Sequence, residues 1–273
     1  MKKKWIAMSV AVVLIALSFM AFDMRLKVVK YAIESEKVQT PTRIVFVADL
    51  HSCKYGENQS ELIAAVEKAQ PDAVLLGGDI FEESMPHDNS LIFVEEIAKR
   101  YPCYYITGNH DFWSGDVPWL KTELHKMGVK VLEGECVEIG ETGVQIVGVD
   151  DPTNYGAGAI GYESMIEQLD RGFSQAENEK YTVLLSHRPE LIQTYLRYEP
   201  DLVLSGHAHG GQIRIPLVLN GLWAPDQGWL PEYAGGAYKL ENTNFVVSRG
   251  LARESINVPR VFNRPELVIV DII

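Results

Sequence analysis

Cysteine is scarce in this 273-residue chain: Cys53, Cys103 and Cys136 are the only three, with no C-x-x-C pair among them. That excludes a disulfide framework and a zinc ribbon as the source of stability. Cations are also short, 25 Lys and Arg against 37 acidic side chains, leaving a formal charge of −12. No Lys/Arg-rich run occurs in the soluble part, so the protein as a whole repels polyanions and nucleic acid is not expected as a partner. Internal repeats, low-complexity tracts and, after residue 42, breaks in composition are missing too. What is left is one soluble domain plus a short leader, with enough apolar residues (47%) to bury a sizeable core. The leader has no twin-arginine pair, which removes support for a folded-export signal.

One long hydrophobic run is present. Trp5–Phe22 holds 18 residues without a charge behind Lys2, Lys3 and Lys4, about the minimum for a helix to cross a hydrocarbon core. It reads as a signal-anchor or a signal peptide. Ala16-Leu17-Ser18 is the one fair cleavage sequence, and retention as a transmembrane anchor is the reading adopted. Cations flank both ends, with Arg25, Lys27 and Lys30 following the run. The positive-inside rule therefore gives a mild preference for an inner N-terminus and an extracytoplasmic soluble part. On this reading residues 1–30 are the membrane segment and its flank, 31–42 a connector, and 43–273 the main domain.

Beyond residue 42 short apolar runs alternate with helix-like stretches, the pattern of an α/β sheet covered by helices. Arg43 to Ala48 predicts a first buried strand. Asn58 and Glu61 resemble a capping box for a helix reaching Gln70, with Leu62, Ile63, Val66 and Ala69 at helical spacing. A strand at 73–76, a helix at 91–100, a strand at 103–107 and a helix capped by Asp116 and closed by Gly128 follow. Residues 129–149, punctuated by Gly134, Gly140 and Gly143, suggest hairpins. Further strands are expected at 182–185, 202–204, 245–247 and 267–272.

Polar clusters begin where these strands stop: Asp49-Leu-His51, Gly77-Gly-Asp79, Gly108-Asn-His-Asp111, Ser186-His187 and Gly206-His-Ala-His209, with Asp150-Asp151 as a further candidate. The carboxyl ends of strands in an open α/β sheet converge on one crevice, so these groups can form a single site. Its mixed carboxylate, imidazole and carboxamide donors suit first-row divalent metals better than calcium. His87 and His125 lie outside every cluster and read as ordinary hydrogen-bonded histidines. Cys53 reads as a buried thiol, Asp150-Asp151-Pro152 as a turn, and Arg188 equally as a phosphate contact or a solvated cation.

In order, Asp49/His51, Gly78/Asp79, Gly108-Asn109-His110-Asp111, His187 and Gly206-His207-Ala208-His209 resemble the blocks of the calcineurin-like metallophosphoesterase superfamily. The resemblance spans residues 43 to 270. It implies an α/β fold built as a four-layer αββα sandwich of two mixed sheets, with a dinuclear metal site at the strand ends. It further implies that Asp49, His51 and His209 bind one divalent ion (manganese, iron or zinc), that Asn109, His187 and His207 bind the other, and that Asp79 bridges them. Phosphorus would then be attacked by metal-bound hydroxide. His110 would serve the leaving oxygen, oriented by Asp111.

The segment Gly206 to Pro216, with Ser248-Arg-Gly250 and Arg264-Pro-Glu266, looks like the membrane-associated subgroup, which includes phosphodiesterases and UDP-2,3-diacylglucosamine pyrophosphatases. Leu251-Ala-Arg-Glu254 departs from that subgroup's glycine-richer turn. The implied activity is hydrolysis of a phosphodiester or pyrophosphate bond, with a lipid-linked substrate favoured by the anchor and by Trp113, Trp119, Trp223 and Trp229 beside the metal blocks. A cyclic-nucleotide phosphodiesterase, a nuclease, a phosphomonoesterase, or a metal-dependent scaffold that binds a phosphorylated ligand are the alternatives. Gly78-Asp79-Ile-Phe-Glu-Glu-Ser84 stands where serine/threonine protein phosphatases carry G-D-x-x-D-R-G, which disfavours that class.

Overall fold

The structure, a computed structural model, describes residues 2–156, 158–253 and 258–273. Its first element is helix α1 (Lys2–Ala21). The 18 residues Lys4–Ala21 have a mean hydropathy of 2.0 and are 6% buried, so this helix is long and apolar enough to cross a membrane and packs against almost nothing. Strand β1 (Lys27–Ile33) comes next, inside what the sequence assigns to leader flank and connector. The polar edge positions of Lys27-Val-Val-Lys-Tyr-Ala-Ile hide it, because an edge strand has no call for a continuous apolar run.

The chain then runs through β2 (Thr42–Val47), α2 (Ser60–Ala69), β3 (Ala73–Gly77), α3 (Asp88–Ala98), β4 (Cys103–Ile106), α4 (Asn109–Trp113), α5 (Val117–Lys126) and β5 (Lys130–Val131). These elements match the expected alternation closely. One start differs: Asn58 and Gln59 adopt left-handed φ of 50° and 60°, and the Gln59 side chain binds Tyr55 N and Cys53 O. No Asn58–Glu61 capping box forms, and α2 begins at Ser60. Asp116 does cap α5, accepting from Trp119 N at 3.1 Å.

The hairpin β6 (Glu135–Glu138) and β7 (Val144–Gly148) follows, then α6 (Ala159–Gln175), β8 (Tyr181–Leu185), α7 (Ile192–Tyr195) and β9 (Leu202–Ser205). A small ribbon, β10 (Trp223–Ala224) with β11 (Gly228–Trp229), precedes β12 (Gly236–Leu240), β13 (Thr243–Val247) and β14 (Glu266–Ile272). The sequence reading assigns no element at α6, where glycines interrupt the helical pattern. Gly172 is there because a Cβ would stand 2.5 Å from Val147 Cγ1, so the helix lies directly on the sheet.

Two six-stranded sheets result, ordered β1-β14-β2-β3-β4-β5 and β12-β13-β9-β8-β7-β6. Both are mixed, since β14 runs antiparallel to β2, β6 to β7 and β12 to β13 while the remaining pairs are parallel. Alternate residues divide between faces. Ile44 and Phe46 of β2 meet Ile146, Val183 and Leu204 of the other sheet in a central core. Val45 and Val47 face outward onto Leu62, Val66, Phe93 and Leu124 from helices α2, α3 and α5. On the far side Val147, Leu184 and Val203 pack on Met165, Leu169 and Tyr195 from α6 and α7. Three apolar interfaces define four layers, αββα. Each fully buried Leu, Ile or Phe contributes about 1.5–3 kcal/mol, and strands covered on both faces explain the unbroken apolar runs.

Candidate active site

The sheets present the carboxyl ends of their parallel strands along one rim. Asp49 and His51 follow β2, Asp79 follows β3, Asn109 opens α4 just after β4, His187 follows β8, and His207 and His209 follow β9. Donor atoms of Asp49, His51, Asp79 and His209 all lie within 4.8 Å of one another, as do those of Asp79, His187 and His207. Asp79 belongs to both groups. His187 Nε2 stands 3.0 Å from Asp79 Oδ2, and His51 Nε2 stands 3.6 Å from the same oxygen.

The turns that bring these residues together are strained. Asp49, His51, Asp79, His207 and His209 all have φ between 47° and 64°, a region that costs non-glycine residues energy and recurs at functional sites. Gly108 is required by contact: a Cβ there would fall 2.2 Å from Asp79 Oδ1. Backbone hydrogen bonds fix the strained turns to one another, Asp49 N to Gly78 O at 3.0 Å and His51 N to Asp79 O at 3.0 Å.

Which metal-ready atoms are left over can be read from the hydrogen bonds. His187 Nδ1 lies 2.8 Å from the Gly77 carbonyl and His51 Nδ1 lies 2.6 Å from Glu82 Oε2, so each ring turns its Nε2 inward, the second-tier arrangement metal-ligating histidines use. Asp49 Oδ1 accepts from His207 N and Asp79 Oδ1 from His110 N, both at 2.8 Å. The atoms Asp49 Oδ2, His51 Nε2, Asp79 Oδ2, Asn109 Oδ1 and His187 Nε2 are buried and make no well-aligned hydrogen bond, the 3.0 Å approach of His187 Nε2 to Asp79 Oδ2 included. Two fully buried carboxylates carrying unpaired oxygens among imidazole nitrogens are costly in a dry site and fit divalent cations. Clustered Asp and His residues of this kind are a divalent-metal donor set.

Around this centre a cleft of about 910 Å³ is lined by Asn109, His110, Trp113, Arg188, His209 and Trp223, among others. His110 stands partly exposed, its Nδ1 2.8 Å from Glu83 Oε2 and 3.4 Å from Glu82 Oε2. Burial disfavours its charged form, but the Glu82 hydrogen bond and the Asp79 and Glu83 carboxylates outweigh that and raise its pKa to about 9.

Asp111 corrects an expectation. It does not touch His110; it accepts from Asp79 N at 2.7 Å, Gly108 N at 2.8 Å and Phe81 N at 2.8 Å. Burial and the Asp79 charge push its carboxyl up to about 7, against the pull of the Gly108 and Phe81 amides. Its hydrogen bonds clamp the β3 turn onto the β4 turn, and the carboxylates that do stand beside His110 are Glu82 and Glu83.

Arg188 is neither solvated nor free for a phosphate: its guanidinium holds Asp151 at 2.6 Å, Thr153 at 2.8 Å and Asp226 at 2.5 Å. Asp151 caps the turn at Thr153, and Asp150 accepts from Thr107 Oγ1 at 2.8 Å and Lys121 Nζ at 2.6 Å. Both therefore brace loops rather than face the cleft. Cys53 packs in the outer core as expected. Glu254, part of the departing 251–254 turn, lies outside the described residues.

A family model described as calcineurin-like phosphoesterase matches residues 42–211. An Aquifex aeolicus protein named as a metallophosphoesterase is 32% identical over 254 residues, covering 90% of this chain and 92% of its own. The chain belongs to the calcineurin-like phosphoesterase family. It is accordingly a metal-dependent phosphoester hydrolase. A Bos taurus relative named transmembrane protein with metallophosphoesterase domain is 28% identical over 82% of this chain, which spans 51% of that protein. Among solved structures, a Thermus thermophilus protein (TM-score 0.53, 13% identity, 78% of this chain and 91% of that one) shares the fold. So does a dimetal phosphatase from Danio rerio (0.50, 12%, 77% and 88%).

Three residues of this calcineurin-like phosphoesterase went unassigned at the sequence level, Glu83 beside His110 among them. Glu82 stood in plain view three residues after Asp79, and only the folded turn shows it reaching back to His51. Asp226, whose Oδ2 lies 2.9 Å from His207 Nε2, sits in a loop with no metal-block spacing at all. The His207 hydrogen bond, assisted by the Arg188 charge and opposed by burial, lowers its pKa to about 2.

Proposed function

We propose that this protein is a dinuclear phosphohydrolase, held at a membrane by α1 with its catalytic domain (43–273, extended by β1) outside the cytoplasm. Its reaction is hydrolysis of a phosphodiester or pyrophosphate bond in a lipid-linked substrate. The observation that carries this reading is the set of buried donor atoms without partners, drawn from the ends of strands in both sheets onto Asp79. Asp49, His51 and His209 would hold one ion and Asn109, His187 and His207 the other, with Asp79 common to both groups. Two ions of manganese, iron or zinc type supply Lewis acidity toward phosphoryl oxygens and lower the pKa of coordinated water toward neutrality.

The chain's own residues do the rest. Asn109 adds a neutral oxygen, which keeps the ligand charge low. Glu82 and Glu83 hold His110 by Nδ1, which leaves Nε2 to protonate or stabilise the leaving oxygen. Exposed Phe112, Trp113 and Trp223 on the cleft wall favour an apolar substituent near the phosphate, and α1 puts that wall near a bilayer.

The test measures bound manganese, iron and zinc alongside turnover of bis(p-nitrophenyl) phosphate, p-nitrophenyl phosphate and vesicle-held CDP-diacylglycerol. Asp79→Asn is expected to lose metal and essentially all turnover, whereas His110→Ala keeps its metal and loses roughly 10²–10⁴ in rate. A protein that takes up no metal under any loading condition, or turns over only the monoester, ends this reading.

A further inference from the structure

The sequence between the last metal block and β12 is unusually apolar at its tips. Ile215-Pro-Leu-Val-Leu219 closes a tight turn, Ile215 N to Leu219 O at 3.0 Å and Leu219 N to Ile215 O at 2.8 Å. Turn tips normally carry Gly, Asn or Asp, which tolerate left-handed backbone and water. Here Leu217 takes that position at φ 66° and Leu230 does the same at φ 56°. Leu217 is fully exposed, Val218 is 81% exposed, Trp229 74% and Leu230 66%. Large apolar side chains exposed at two turn tips mark an interaction surface.

The position of this surface identifies what covers it. Arg214 N bonds Val261 O at 2.9 Å, Val261 N bonds Gln212 O at 3.1 Å, and Phe262 N bonds Ala21 O, the end of α1, at 2.7 Å. The apolar turn is thus two hydrogen-bonded steps from the point where the hydrophobic helix enters the domain. Exposed Lys27, just past that point, shares a hollow with Leu217, Val218 and Phe262. An apolar tip with exposed Lys27 at its side, next to a helix long and apolar enough to span, has the chemistry of a bilayer interface. In the other direction Trp223 lines both the catalytic cleft, with His207 and His209, and an apolar hollow shared with Trp229 and Val258.

We infer that the turns at 215–219 and 229–230 insert into the same bilayer that receives α1, and that Trp223 and Trp229 form an apolar path from the lipid to the metal cleft. The occupant of this face is the acyl and headgroup boundary of phospholipid. The inference rests on the proposal that α1 is a membrane anchor.

The experiment uses the full chain, its anchor verified by intact mass, reconstituted in vesicles with brominated acyl chains. In a Cys136→Ser background, with Cys53 and Cys103 buried, an environment-sensitive fluorophore is placed at Leu217→Cys, Leu230→Cys or Glu179→Cys. Glu179 lies before β8, at the opposite end of the strands. Labels at 217 and 230 are expected to blue-shift and be quenched by bromine, and the label at 179 to respond only to an aqueous quencher.

Three labels behaving alike overturns the inference. So does shielding of 217 and 230 from both quenchers, which would put a second copy on this face. As a functional arm, the Leu217→Asp/Leu230→Asp double variant should hydrolyse bis(p-nitrophenyl) phosphate at the parent rate and lose at least tenfold on vesicle-held CDP-diacylglycerol. Equal loss on both substrates overturns the lipid path. If the parent protein cleaves neither substrate while 217 and 230 are still quenched, docking stands and the catalytic proposal fails.

Discussion

The two sheets build their halves of the site differently. The first sheet supplies Asp49, His51, Asp79 and Asn109 from short turns locked by buried groups: Asp111 holds three backbone amides and Glu82 holds His51. The second sheet supplies imidazoles, and one of them, His207, is met by Asp226, whose side chain is 52% exposed. Buried support is unscreened and has no water to replace it, whereas exposed support competes with solvent. The first half should therefore be brittle to the loss of a supporting residue and the second tolerant.

The sharpest break of that contrast is Asp111→Ala. It strips partners from the amides of Asp79, Gly108 and Phe81, and a buried donor left unmade costs about 1–3 kcal/mol. We expect the variant to lose roughly 3 kcal/mol of stability or more, read by denaturant unfolding, together with metal uptake. A change below about 1 kcal/mol would mean that water replaces the carboxylate and that the first half is not brittle.

Glu82→Gln is the next step down. The amide keeps the shape but weakens the hold on His51 Nδ1, and loss of such outer partners typically costs about 10–100-fold in metal affinity. Titration of the metal-free protein with manganese or zinc measures it, and thermal unfolding of the metal-free form should barely move. Equal affinity in the two proteins would show that packing alone orients His51.

The same contrast governs what was legible in the sequence. Buried strands announce themselves as apolar runs, and the residues at their ends come in short blocks, so Asp49, Asp79, Asn109, His187 and His209 could be named and the structure draws them together. The backbone that does the drawing could not be named. Nothing in the composition of Asp49-Leu-His51 shows both residues at left-handed φ. Asp111 was misassigned because adjacency to His110 suggested a side-chain partner, while helix geometry aims it at amides of another turn. β1 escaped because an edge strand with Lys27 and Lys30 outward looks like the flank of an anchor. Asp226 escaped because loop contacts carry no period.

The smallest effect is expected at Asp226, and it is the one that decides whether the halves differ. Its carboxylate bridges His207 Nε2 at 2.9 Å and the Arg188 guanidinium at 2.5 Å, a geometry that on paper could hold the β10–β11 ribbon over the cleft or complete a donor set with His207 and Glu190. Half-exposed pairs of this kind are worth about 0–1 kcal/mol, because water screens the attraction and ordering two side chains opposes it. Asp226→Asn removes the charge and preserves the shape. If Asp226 only positions the ribbon, unfolding stability shifts by less than about 1 kcal/mol, metal affinity holds within about threefold, and the change falls on KM rather than kcat. A drop in metal affinity as large as that of Glu82→Gln would make Asp226 a true partner of the centre. The two halves would then be equally dependent on their carboxylates despite the difference in burial.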